Sequence, residues 1–121
     1  MIKCNKCEQE KAQDEFYARG SGKLRRSCKP CLRRQKVMRI YNLTEEEYDN
    51  LYSDPRCHIC GEQETQVVYG KVKELSVDHC HGGGHVRGLL CQSCNIGLGA
   101  FQDDVGKLLA AAQYLINQEG I

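Results

Sequence analysis

The segment Asp78-His79-Cys80-His81, together with Asn95, has the residue types and spacing best suited to chemistry. If this segment is a strand, alternation turns Asp78 and His79 to opposite faces, one toward a metal ion and the other toward a water molecule. Asn95 follows a cysteine pair at an expected helix start, where its side-chain oxygen can reach the same ion. Hard divalent cations such as Mg²⁺ prefer oxygen ligands, and a neutral imidazole can take a proton from water. The set suits phosphodiester hydrolysis, with His79 as general base and Asp78 and Asn95 as ligands of a catalytic divalent metal.

Eight of the nine cysteines form four C-x2-C pairs, the spacing typical of zinc knuckles. The pairs are Cys4 and Cys7, Cys28 and Cys31, Cys57 and Cys60, and Cys91 and Cys94. The economical pairing joins the first two and the last two, which predicts two structural Zn²⁺ ions. A four-cysteine site is closed, so neither ion is expected to take part in catalysis. A disulfide framework is the alternative, but an odd cysteine count leaves Cys80 over, and we expect it to be a packed free thiol.

Charge is strongly segregated along the chain although the net charge is only +1. Residues 1–43 carry twelve Lys and Arg against four Asp and Glu, whereas residues 44–121 carry five against twelve. A basic half is typical of a surface that binds DNA through its backbone, although such a cluster can also be only a solvated face. The candidate DNA-binding residues are Lys23, Arg25, Arg26, Lys29, Arg33, Arg34, Lys36 and Arg39. Arg87 is a further candidate for contact with phosphate, with packing as the alternative.

Several short elements must position these residues. We expect a glycine turn at residues 20–22, a basic helix over Leu32–Tyr41, and a second helix from Thr44 to about Tyr52 that starts with a Thr44/Glu47 capping box. A polar stretch follows the third cysteine pair. Strands over 75–81 and 85–90 flank a Gly82–Gly84 turn, and a helix opens at the last cysteine pair. A final helix over 103–117 carries one apolar stripe, with Asp103 and Asp104 at its start and Gly120 beyond its end.

The run Leu75-Ser-Val-Asp-His-Cys-His81, followed by His85-Val-Arg-Gly-Leu-Leu-Cys-Gln-Ser-Cys-Asn95 and Gly97-Leu-Gly99, resembles the phage recombination endonuclease VII family of HNH (His-Me finger) nucleases. The resemblance covers about residues 40–102. It implies that Asp78 and Asn95 bind the catalytic Mg²⁺, that His79 is the base, and that His81 lies near the scissile phosphate. It also implies that the third and fourth cysteine pairs hold the family's structural zinc.

Two departures concern the substrate. Leu98 stands where the best-known member of the family has a glutamate implicated in catalysis, and one helix replaces the long region that this member uses to dimerise. Junction resolution is therefore a weaker expectation than phosphodiester cleavage. For the last helix, covering of the core is the simplest role and formation of a homodimer the second.

The resulting prediction is an α+β protein of small zinc-stabilised modules. A basic zinc ribbon-like module (1–34) and linker helices (35–56) precede a ββα-metal nuclease core with its C-terminal helix (57–121). Without a secretory signal or a long apolar run, we expect no membrane partner and a cytoplasmic location, that of the host if the gene is phage-encoded. A non-enzymatic zinc-finger DNA-binding or regulatory protein is the alternative, and a protein-interaction zinc module is a third class.

Overall fold

The computed structural model describes residues 1–119. The chain forms two compact units, of which the first spans Met1–Asn50 and the second begins at Leu51. Gly120, expected to lie beyond the last helix, falls outside the described residues. The three-segment division expected from the sequence stays a prediction. Within the described range, no helix has both the length and the apolarity that crossing a membrane requires.

The first unit opens with two very short strands on either side of a cysteine knuckle. Strand β1 (Ile2–Lys3) pairs antiparallel with β2 (Glu10–Lys11), and a 3₁₀ turn follows at Gln13–Glu15. The predicted glycine turn is confirmed, because Gly20, Ser21 and Gly22 all have positive φ. An isolated β-bridge between Ala18 and Leu24 flanks this turn. Glycine suits two of these three positions because it has no Cβ to clash in the left-handed region.

Helix α1 spans Lys29–Tyr41, and so begins earlier than the predicted Leu32. Cys28 is its N-cap, and Pro30 lies in the first turn, where a proline ring removes no hydrogen bond that the helix would make. At the other end Asn42 takes the left-handed conformation, and its N–H donates to the carbonyl of Met38. The early start places Cys31 in the first turn of the helix.

Helix α2 spans Glu45–Leu51 and starts with the predicted capping box, which is confirmed. The Thr44 N–H donates to Glu47 Oε1 at 2.9 Å, and the Glu47 N–H donates to Thr44 Oγ1 at 3.1 Å. These bonds satisfy two N–H groups that the helix itself cannot pair. They also lower the pKa of the Glu47 carboxyl.

The second unit contains a hairpin that was not predicted from the sequence. Strands β3 (Val67–Val68) and β4 (Lys71–Val72) pair antiparallel across Tyr69 and Gly70, which have φ of 52° and 77°. Positive φ at both central residues is the signature of the tight turn that favours hairpins, and Gly70 fits it without strain. We expected only a polar stretch here because the apolar run is short and a tyrosine occupies the first turn position.

Strands β5 (Ser76–His79) and β6 (Val86–Leu90) form the antiparallel hairpin that precedes helix α3 (Gln92–Ala100), the expected ββα order. Asp78 pairs with Gly88, but His79 pairs with Val86, so Arg87 is the extra residue of a β-bulge. A bulge bends its strand and changes the direction of the extra side chain. Strand pattern alone does not reveal it.

A side chain at position 88 would clash with the ring of His58, so only glycine fits there. His58 lies in the cysteine knuckle that precedes this hairpin. His58 Nδ1 accepts the Leu89 N–H at 3.2 Å, so the ring is held against the strand. A Cβ at Gly88 would lie 2.5 Å from that same nitrogen.

We therefore expect Gly88→Ala to destabilise the second unit by about 1–3 kcal/mol, the usual cost of overpacking. Urea unfolding followed by circular dichroism measures this loss. Gly99→Ala is the matched control, because nothing lies within 4 Å of a Cβ at that helical position. Equal stability of the two variants would contradict the steric role of His58.

Helix α4 spans Val105–Glu119, and the expectation that its apolar stripe covers the core is wrong for most of that stripe. Leu108 is half-buried, whereas Val105, Leu109, Leu115 and Ile116 are between 41% and 70% exposed. Helical periodicity shows which residues share a face, but it does not identify the surface against which they pack. Formation of a homodimer stays a prediction.

Each unit has a small core built largely from its cysteines. In the first unit Cys4, Phe16 and Cys28 are buried, and in the second unit Cys57, Leu90 and Cys91. Only a few aliphatic side chains pack around them, among them Leu75 and Leu98. Apolar burial on this scale is modest for a chain of this size.

Candidate functional site

The eight paired cysteines converge on two clusters, which confirms the predicted pairing. Within each cluster all four Sγ atoms lie within 4.8 Å of one another. The Sγ–Sγ distances include 3.8 Å between Cys4 and Cys31, 3.9 Å between Cys7 and Cys28, and 3.9 Å between Cys60 and Cys91. Four sulfurs at the usual Zn–S bond length of about 2.3 Å around one ion stand about 3.8 Å apart. All nine cysteines are free thiols, so these clusters fit zinc and not disulfides.

The charge balance of the second cluster also points to a cation. Burial raises the pKa of the Cys57 thiol, but the N–H groups of Cys91, Cys60 and Ile59 outweigh it and lower that pKa to about 6. Burial and the neighbouring thiols raise the pKa of Cys94 to about 12. A divalent ion among the four sulfurs would favour the ionised form of these thiols.

The first cluster shows the same pattern. Burial opposes ionisation of Cys4, but N–H groups led by that of Cys28 lower its pKa to about 5, whereas burial raises that of Cys31 to about 12. Lys11 Nζ donates to Cys28 Sγ at 3.3 Å, and this bond raises the pKa of the lysine. Lys11 thus contacts the first cysteine cluster through Cys28, and this contact was not predicted from the sequence.

His79 and His81 lie side by side near the end of β5. Their ring centroids are 5.3 Å apart, with the planes tilted by 45°. His79 is half-buried, whereas the His81 side chain is 79% exposed. Between them Cys80 is a half-buried free thiol, as expected, and the N–H groups of Gly83 and Gly82 lower its pKa.

Asp78 is held by Arg87 in a two-pronged ion pair. Arg87 Nε donates to Asp78 Oδ2 at 2.7 Å, and one terminal nitrogen donates to Oδ1 at 3.0 Å. The same terminal nitrogen donates to Asp103 Oδ2 at 3.0 Å. These bonds, those to Asp78 before the one to Asp103, raise the pKa of the guanidinium further above its ordinary value. The bulge at Arg87 therefore brings its guanidinium against Asp78, the predicted metal ligand. From the sequence, Arg87 was expected only to contact phosphate or to pack.

Asn95 is exposed in the first turn of α3, a helix that packs against β5. The start of this helix depends on Glu64, which the sequence reading missed. Glu64 Oε2 accepts the Gln92 N–H at 2.7 Å, while Oε1 accepts those of Thr65 and Gln66. These bonds, first those from Gln66 and Gln92, lower the pKa of Glu64. Leu98 of the same helix packs on the core of this unit.

The predicted DNA-binding residues of the first unit differ in how freely they could reach DNA. Lys23, Arg25, Arg26, Lys36 and Arg39 are exposed, whereas Arg33 is half-buried. Arg34 already has partners within the first unit. It forms a salt bridge with Asp49 at 2.6 Å, and its guanidinium lies over the Tyr48 ring. Lys29 lies over the Tyr17 ring. Beside the first cysteine cluster, a groove is lined by Lys6, Cys7, Cys31, Arg34, Gln35, Met38, Arg39 and Glu45.

Comparison with known proteins relates this chain to phage proteins. It is 39% identical over 89 residues to the Gene 59 protein of Mycobacterium phage L5, a match that covers 71% of this chain and 51% of that protein. It is 43% identical over 83 residues to the Gene 59 protein of Mycobacterium phage D29, covering 66% of this chain and 47% of that protein. The chain thus spans about half the length of these two curated relatives.

Among solved structures, the beta-beta-alpha-Me type II restriction endonuclease Hpy99I is similar at 28% identity, over 96% of this chain and 65% of that chain. The TM-score of this match is 0.43. The model of the recombination endonuclease VII family matches residues 33–117, well over half of the chain. The chain therefore belongs to the recombination endonuclease VII family.

Proposed function

We propose that this chain is an HNH-type, metal-dependent DNA endonuclease that hydrolyses phosphodiester bonds. The observation that carries the proposal is the grouping of Asp78, His79 and His81 at one end of the β5–β6 hairpin. A Cys4 cluster fastens the chain on both sides of this hairpin. Family membership supports the reaction class, and branched or nicked DNA is a candidate substrate.

The donor set around Asp78 suits a hard divalent cation such as Mg²⁺, because a carboxylate and an amide supply oxygen ligands. Asp78 and Asn95 would hold this ion, which when bound supplies positive charge against the scissile phosphate and the leaving oxygen. His79 takes a proton from the attacking water at a ring nitrogen. His81, the more exposed of the two histidines, contacts the scissile phosphate.

The two cysteine clusters each hold one structural Zn²⁺ in this proposal. Their sulfur spacings and thiol pKa values support it. Because all four positions of each ion are taken by thiolates, the zinc ions shape the site and leave catalysis to the oxygen-bound metal.

The exposed basic residues of the first unit supply contacts to the DNA backbone, and Arg87 contributes one at the hairpin. Such contacts release counterions, so they strengthen binding without specifying sequence. Arg39, which lines the groove beside the first cysteine cluster, and Lys36 are the clearest candidates on α1 because both are exposed.

We expect Lys36→Gln and Arg39→Gln each to weaken binding of any duplex and to reduce the slope of log affinity against log salt by about 1. Fluorescence anisotropy at several salt concentrations, without divalent cations, measures both quantities. Arg56→Gln is the matched control, since Arg56 is paired with Asp54 in the second unit. An unchanged salt slope for both α1 variants would place the DNA elsewhere.

The experiment that tests the proposed function is conversion of supercoiled plasmid to nicked or linear DNA. Protein verified to carry two zinc ions is assayed with and without Mg²⁺. Chelators are avoided because EDTA would also extract zinc. Cleavage that requires Mg²⁺ and is lost in Asp78→Asn, with zinc content intact, is the expected result.

The alternative, a zinc-finger DNA-binding or regulatory protein, makes the opposite prediction. It requires DNA binding with no cleavage under Mg²⁺, Mn²⁺ or any other divalent cation. Cleavage that is equal in wild type and Asp78→Asn would instead mean that a contaminating nuclease or another site is responsible.

A further inference from the structure

Asp103 sits in an unusual turn between α3 and α4. Both Gln102 and Asp103 have positive φ, 58° and 55°, without being glycine. The turn is fixed by backbone bonds from the N–H of Gln102 to Gly99 and from the N–H of Asp103 to Leu98, each at 2.9 Å. Residues other than glycine are uncommon in the left-handed region, and such positions cluster at functional sites.

The two consecutive aspartates of this turn have separate roles. Asp104 is the N-cap of α4, because its Oδ1 accepts the Lys107 N–H at 3.0 Å. Asp103, which we expected to support the same helix start, instead faces the β5–β6 hairpin. Its Oδ2 lies 3.0 Å from Arg87 and 4.0 Å from His81 Nε2.

Arg87 is thus shared by two carboxylates of unequal exposure. The Asp78 side chain is 12% exposed and that of Asp103 is 29% exposed, with the arginine at 34%. Arg87 occupies both oxygens of Asp78 but only one of Asp103. A cation that binds Asp78 therefore competes with the guanidinium for oxygens that are already hydrogen-bonded.

We propose that Asp103 is a positioning residue that keeps Arg87 in the site while Asp78 exchanges it for the catalytic metal ion. The inference rests on the proposed function, since it needs a metal at Asp78. With Asp103 as second anchor, release of Asp78 leaves the guanidinium paired with a carboxylate that also lies 4.0 Å from His81 Nε2, so that it stays in the site where it can meet a phosphate. Without it, Arg87 has only Asp78 to bind and competes harder with the cation.

The test is a double-mutant cycle on the affinity for Mn²⁺, used as the probe and measured from the electron paramagnetic resonance of the free ion without DNA. We expect Asp103→Asn to weaken Mn²⁺ binding about fivefold, a charge-assisted bond discounted for its exposure. Asparagine also tolerates positive φ, so the turn should persist. Asp104→Asn is the matched control: it removes the same charge one residue away, and we expect a change within about twofold.

The second side of the cycle is made in an Arg87→Gln background. Removal of the competing guanidinium should tighten Mn²⁺ binding, and Asp103→Asn should then have no further effect. Arg87→Lys provides a second background, because lysine keeps the charge but cannot bridge both carboxylates with a planar fork. Zinc content and circular dichroism verify that every variant is folded.

Two outcomes overturn the inference. Asp103→Asn could weaken Mn²⁺ binding equally with and without Arg87, which would mean that Asp103 acts on the ion directly. It could also behave as Asp104→Asn does, which would leave it a surface charge. In either case the proposed function survives if Asp78→Asn abolishes Mn²⁺ binding, whereas unchanged binding in Asp78→Asn would contradict both.

Cleavage gives a second readout that a purely structural role would not produce. At saturating Mg²⁺ the metal overcomes the competition, but in Asp103→Asn the released arginine is unanchored. We therefore expect a lower kcat with KM for plasmid unchanged, and an Mg²⁺ requirement shifted to higher concentration. A shift in KM alone would contradict the positioning role.

Discussion

His79→Ala is expected to reduce the rate of plasmid cleavage by about two to four orders of magnitude, the usual contribution of a general base. The half-buried imidazole lies in β5 directly after Asp78, so its loss leaves the metal ligands in place and removes the group that accepts the proton. DNA affinity should be nearly unchanged, because the backbone contacts lie elsewhere. Single-turnover cleavage with Mg²⁺, beside anisotropy of the uncleaved complex, separates the two effects.

His85→Ala is the matched control for that variant. His85 is exposed beyond the Gly82–Gly84 turn of the same hairpin, and its contribution to the fold is a carbonyl that accepts the Cys80 N–H at 2.8 Å. The alanine variant keeps this carbonyl and should cleave at the wild-type rate. A His79→Ala variant that cleaves as fast as His85→Ala would remove His79 from the mechanism.

Cys91→Ser is expected to lose one zinc ion per chain and, with it, the folded second unit and all cleavage. The free energy of structural zinc binding is about 10–16 kcal/mol in small zinc domains. The buried aliphatic side chains of this core, such as Leu89 and Leu90, contribute only about 2 kcal/mol each. The metal therefore decides whether the unit folds. Zinc content by mass spectrometry and thermal unfolding by circular dichroism measure the loss.

Cys80→Ser is the matched control, because Cys80 is the one cysteine outside the two clusters. It should retain two zinc ions and a transition close to that of wild type. Wild-type protein with a single zinc ion would mean that the first cluster is not a metal site. Two ions retained in Cys91→Ser would contradict the assignment of the second.

Local patterns in the sequence were enough to predict most elements and both cysteine clusters. The capping box at Thr44 and the spacing of the cysteine pairs are determined by neighbouring residues, so they can be read directly. The β3–β4 hairpin and the exposure of α4 were not predictable in the same way. The first depends on a positive φ at Tyr69, and the second on which surfaces meet.

The candidate site was likewise predictable from the sequence only in part. The chemistry-bearing types Asp78, His79 and Asn95 are visible in the sequence, whereas the ion pair that occupies Asp78 is not. That pair depends on a one-residue bulge at Arg87 and on a turn at Asp103 with positive φ, and neither has a recognisable residue pattern. Residues that act through such contacts, including Glu64 and Lys11, carry no recognisable spacing.

The β3–β4 hairpin lies within a stretch of chain whose two ends meet at the second cysteine cluster. Once an ion closes this cluster, the entropy of bringing those ends together depends only on the logarithm of the enclosed length. Doubling that length would cost about 0.6 kcal/mol, a small fraction of what the ion contributes. The hairpin tip at Tyr69 and Gly70 is therefore where this protein can gain or lose residues with the least effect on the histidines beyond it.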